Sequence, residues 1–104
     1  TILADATTTS AAYNAPFSGI VACRGSISGR TAEMRINGAV AVTSALDQGT
    51  GNFSNAPLFI GRRGADGTIP FNGRLYSLLI RGAATPDATI VKVEGYLNQK
   101  AKVF

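Results

Sequence analysis

Residues 31–36 alternate without a break: Ala32, Met34 and Ile36 fall on one side, Thr31, Glu33 and Arg35 on the other. A period of two over this length predicts a half-buried strand. Asn37-Gly38 follows, the dipeptide best suited to a tight hairpin because both positions tolerate positive φ. A two-residue loop would set Val40 and Val42 beside Arg35 and Glu33. A three-residue loop, Ile36-Asn37-Gly38 with Gly38 left-handed, instead sets Val40 opposite Met34 and Val42 opposite Ala32, burying all four. That second register is the expected one. Upstream, Gly19 to Cys23 is a short apolar strand bounded by Gly25-Ser26. Ile2 and Leu3 suggest an edge strand before a Thr/Ser-rich loop that is a poor helix former.

Downstream, residues 47–57 hold Gly49, Gly51, Asn52, Asn55 and a closing Pro57, the composition of a loop. Leu58-Phe59-Ile60 reads as a strand stopped by Gly61, and residues 62–70 as a second loop around Gly64 and Asp66-Gly67. Phe71 to Arg81 is the longest strand candidate. Leu75, Leu78, Leu79 and Ile80 leave neither face polar, so both faces are expected to be covered, with a bulge near Ser77. At Thr85 the pattern changes. Thr85 suits an N-cap, Pro86 the first helical position and Asp87 the positive end of the helix dipole. Ile90, Val93, Leu97 and Ala101 then recur at helical spacing, so a single helix should begin within two residues of Pro86.

With 104 residues the chain fits one domain, residues 1–104, and no internal repeat is visible. Its 45% hydrophobic and 15% charged content argue against disorder. The apolar residues lie in short runs, none near the ~18 a membrane span needs, and no leader pattern is present. A start at Thr1 without methionine reads as a processed or excised piece of a longer protein. Ten Lys/Arg against six Asp/Glu give a net charge of +4. The seven arginines are scattered, with Arg62-Arg63 the one local pair, which argues against a nucleic-acid partner. Cys23 is alone, so no intrachain disulfide is expected, and its apolar run suits a small buried hydrophobe.

The order of these elements carries a resemblance. The hairpin Arg35-Ile36-Asn37-Gly38, the Ile60-Gly61-Arg62 strand end, the Phe71-Asn72-Gly73-Arg74-Leu75 strand and the closing helix resemble the C-terminal half of laminin-G-like domains. Those domains belong to the concanavalin A-like lectin and glucanase superfamily, and the likeness covers residues 19–104. The versions it is most similar to in style occur in tailed-phage virion proteins. The resemblance implies an all-β antiparallel sandwich, a jelly roll with one short C-terminal helix. A whole jelly roll takes about eight strands, and roughly six are legible here, so the domain is expected to be partial. Its upstream half, another virion chain or a second copy would complete it. The chain should therefore not form a closed, self-sufficient monomer.

The residues themselves bear on three chemistries. Retaining glucan hydrolysis needs two carboxyls ~5 Å apart, whereas Asp5, Glu33, Asp47, Asp66, Asp87 and Glu94 are isolated in sequence. The chain has no histidine for triad chemistry either, so no catalysis is expected. Calcium at a loop rim would fall to Asp47 and Asp66, helped by Asn52 and Asn55, although both aspartates also suit turns; no cofactor is assigned. Glycan recognition would use Asn52, Phe53, Asn55, Arg62, Arg63 and Asp66, an aromatic ring flanked by amides, a carboxylate and guanidinium groups. The expectation is thus a non-catalytic carbohydrate-binding module on a virion or extracellular surface, with saccharide of a host surface as partner. The alternative is a structural assembly module contacting other virion chains without a sugar.

Overall fold

The computed structural model describes residues 14, 16–47, 49–52, 55, 57–62, 64, 67–68 and 70–104. Strands β1 (Val21–Ser26), β2 (Thr31–Ile36) and β3 (Ala39–Ser44) form one antiparallel sheet in the order β1-β2-β3, and helix α1 (Asp87–Ala101) closes the chain. Three six-residue strands and a fifteen-residue helix make a mixed unit, not an all-β one. No second sheet forms among the described residues, and no helix among them is long and apolar enough to cross a membrane. The edge strand expected at Ile2 and Leu3 lies outside the described residues.

The hairpin corrects the expected register. Ile36 pairs with Ala39 and Arg35 with Val40, so the loop is the two residues Asn37 and Gly38. Their φ values, 51° and 80°, are both left-handed, as a primed two-residue turn requires. Asn37 is also held from outside the hairpin: its Oδ1 accepts the Ile20 amide at 2.9 Å, and its own N–H donates to the Ile20 carbonyl at 2.9 Å. A bulge between Met34 and Arg35 then leaves Ala41 unpaired and returns Val42 to a position opposite Met34. Val40 stays beside Arg35 and is 51% exposed. The two-residue register holds for Ile36–Ala39 and Arg35–Val40, none of the pairs of the expected three-residue register forms, and past the bulge Val42 meets Met34 while Ala32 meets Ser44.

The strand β1 starts two residues later than the apolar run suggested and extends through Gly25 and Ser26, which pair with Ala32 and Thr31. Pairing with a regular partner overrides weak local propensity here. The opposite happens downstream. Neither Leu58-Phe59-Ile60 nor residues 71–81 belong to any ladder, and both segments are exposed. A strand exists by its pairing, and among the described residues the Phe71 N–H bond to the carbonyl of Gly61, just after the first segment, is the one backbone bond linking the two, at 2.7 Å. The covering expected over both faces of residues 71–81 is absent among the described residues, and Tyr76 is 84% exposed.

The helix begins at Asp87 as expected, but Pro86 (φ −61°, ψ 153°) is its cap residue. Thr85 turns its hydroxyl back to the Ala83 carbonyl instead. The Pro86 carbonyl accepts from Thr89 and Ile90 to open the first turn. At the far end Lys102 is left-handed, its N–H bonded to the Asn98 carbonyl at 2.7 Å. The Asn98 Oδ1 gathers the Val103 and Phe104 amides at 2.9 and 3.0 Å. Ile90 is buried and Val93 and Leu97 half-buried, as their spacing predicts, whereas Ala101 is exposed.

The side of the sheet that α1 covers was not foreseen. Cross-strand pairing places Ala22 with Arg35 and Arg24 with Glu33 on one face, and that charged face meets the helix. Val21, Cys23 and Ala39, on the other face, are exposed. Cys23 is therefore not the buried hydrophobe its neighbours suggested. The buried set among the described residues is small: Ile20, Ile27, Ala32 and Ile90, with Glu94 at 2% exposure.

Candidate functional site

Side chains that fold and side chains that remain available divide along the sheet. Between sheet and helix, Arg35 grips Glu94 with a two-pronged fork, Nε to Oε1 at 2.8 Å and Nη2 to Oε2 at 3.1 Å. Nη2 also donates to the Gly38 carbonyl at 2.6 Å. Arg24 holds Glu33 at 3.0 Å and Asp87 at 2.6 Å, and donates to the Thr85 carbonyl at 3.1 Å. These bonds raise the pKa of both guanidinium groups, chiefly through Glu33 for Arg24 and Glu94 for Arg35. The network is a fastening between elements. It leaves Glu33, a lone candidate acid by sequence, locked against cations.

At the end of the sheet away from the hairpin, the turn Ile27–Arg30 joins β1 to β2. The Ser26 Oγ accepts the Gly29 amide at 3.0 Å, and the Arg30 N–H bonds the Ile27 carbonyl at 3.1 Å. Arg30 takes a left-handed φ of 49°, uncommon for a side chain of its kind. Its Nη2 lies 3.1 Å from Asp47 Oδ2, and the other Asp47 oxygen accepts the Gly49 amide at 2.9 Å. Asp47 is thus a turn former and ion-pair partner with both oxygens engaged, which is the local reading of its loop rather than the calcium one.

Between this turn and the loop after β3 lies an open depression of about 310 Å³, lined by Ile27, Ser28, Arg30, Gly49, Thr50 and Gly51. It offers two hydroxyl groups, a guanidinium fixed by its ion pair, and one apolar floor residue. These side chains supply hydrogen-bond donors and acceptors.

No known protein family, curated protein or solved structure matches this chain. Weight therefore falls on the placement of each residue. Asn52, Asn55 and Arg62 are exposed, and none of them lines the depression. Asn52 follows directly on Gly51 at its edge. Arg62 reaches across its own loop, where a Cβ on Gly67 would stand 3.4 Å from Nη1. Phe53, Arg63 and Asp66 lie outside the described residues.

The sequence reading missed Ser28, Arg30 and Thr50. Their juxtaposition follows only once β1, β2 and β3 are known to be consecutive antiparallel neighbours. That order puts the first turn and the loop after the third strand at one end. Among the described residues, all four side-chain carboxylates, Glu33, Asp47, Asp87 and Glu94, contact an arginine. Cys23 is exposed but partly desolvated, which raises its thiol pKa, the direction opposite to activation.

Proposed function

We propose that this chain is the C-terminal part of a laminin-G-like β-sandwich module in a larger virion or cell-surface protein, and that it binds saccharide without transforming it. The observation that carries this reading is the depression at the strand-turn rim. There Arg30, paired with Asp47, lines one depression with Ser28 and Thr50, a guanidinium and two hydroxyls able to donate to and accept from a polyhydroxylated ligand. The arginine-held carboxylates support the non-catalytic half of the reading, because a general acid must be free to protonate and release. Glycan-array binding by the chain tests it. Arg30→Ala and Thr50→Ala should each weaken capture about tenfold, roughly the value of one or two charged hydrogen bonds. Loss on Arg62→Ala or Asn52→Ala with Arg30→Ala silent would move the site to the second loop. No glycan bound at any concentration would refute the reading.

A second reading is favoured by one specific observation. The apolar segment after Asn72 is exposed and unpaired, as a surface for assembly with other chains would be. In that case the module is structural and the rim faces solvent or a neighbour.

A further inference from the structure

Residues 74–81, Arg-Leu-Tyr-Ser-Leu-Leu-Ile-Arg, run without a helix, turn or bend, and none has positive φ. Leu75, Leu78, Leu79 and Ile80 are 59%, 56%, 61% and 64% exposed, so apolar groups stand open on both sides. The main chain is equally open: residues 72–82 form no hydrogen bond or ion pair among the described residues. Arg74 and Arg81 bracket the apolar stretch, roughly 23 Å apart at strand rise.

Two occupants compete for this segment. A second copy, paired antiparallel about the Ser77–Leu78 centre, would set Arg74 opposite Arg81 at both ends. Like charges directly across a ladder are destabilising. A second copy also brings no spare side-chain carboxylate among the described residues, since each of theirs is already held by an arginine. We propose that residues 74–81 are a strand-addition site for a different segment, apolar along its middle and carboxylate-bearing at both ends. Its main chain would complete the ladder, its apolar side chains would cover Leu75 to Ile80, and its carboxylates would set register on the two arginines.

The proposal rests on the assembly reading and narrows it to one partner chemistry. Its test uses the whole chain and two synthetic peptides of about nine residues, alternating valine and threonine. One carries glutamate at both ends, the other lysine. The glutamate-ended peptide should bind at least ~10-fold more tightly by fluorescence anisotropy, about 1.4 kcal/mol by the standard conversion. Arg74→Glu with Arg81→Glu should reverse that preference. Arg74→Gln with Arg81→Gln should erase it. Both arginines are exposed and form no ion pair among the described residues, so an unchanged circular dichroism spectrum is expected for each variant. Equal binding of the two peptides would overturn the charge-defined partner while leaving strand assembly standing. Binding of neither would remove both. Self-association abolished by the glutamate variant would make a second copy the occupant instead.

Discussion

Arg35 is the side chain on which most depends. It is 11% exposed, forks onto Glu94 at 3% exposure, and donates to the Gly38 carbonyl in the hairpin turn. Removing one partner of such a pair strands a buried charge, so Arg35→Ala should cost about 3–5 kcal/mol, read from urea denaturation midpoints. Replacing both, Arg35→Met with Glu94→Leu, should recover most of that loss. The pH dependence has a definite sign. Both arginine pKa values are raised on folding, so their contribution is complete below the unfolded value and fades only as pH climbs past the folded one. These bonds should survive any alkaline titration short of that extreme. The alternation of residues 31–36 correctly separated Glu33 and Arg35 from Met34 and Ile36. What it could not say is that the helix brings Glu94 and Asp87 to the charged side. Periodicity gives faces, not which face is covered.

At the scale of elements, legibility followed locality. The strand β2, the Asn37-Gly38 turn and the start of α1 depend on neighbours a few residues away, and each was readable. The hairpin loop length was not, because it was settled by Ile20, seventeen positions distant, bonding to Asn37. Gly38 shows the constraint most sharply. It sits at φ 80°, and a Cβ there would lie 2.9 Å from the Phe104 ring. Gly38→Ala combines a left-handed penalty with a displaced ring, and should cost about 2 kcal/mol. Asn37→Gly, which keeps the turn and loses only the bond to Ile20, should cost less than half as much in the same denaturation series. An Ala variant as stable as the parent would mean that the turn had changed type. The rim depression belongs to the same lesson. Its lining comes from two loops that share no sequence pattern and meet only through strand order.

At the scale of the molecule, sequence reasoning expected an unfinished unit; residues 72–82 are exposed and make no backbone bond among the described residues. The strands read at 58–60 and 71–81 failed as strands for the same reason. Their apolar content was legible, but pairing is a property of two segments, and among the described residues no ladder includes either of them. The way α1 is fastened has a further consequence, visible in the temperature dependence of stability. Apolar surface gives unfolding its positive heat capacity, about 0.45 cal/K/mol per Å² exposed, whereas exposed polar surface lowers it. Helix α1 is seated by the guanidinium–carboxylate bonds of Arg24 and Arg35 together with the buried Ile90 and the half-buried Val93 and Leu97, so polar groups offset part of the first term. Its detachment should therefore appear in calorimetry as a transition with a small heat-capacity step, advanced by added salt. Capture of an apolar strand along residues 74–81 would do the reverse, with a large negative heat-capacity change and weakening in the cold. One small molecule would thus hold its own helix by contacts less sensitive to temperature than those that hold its partner.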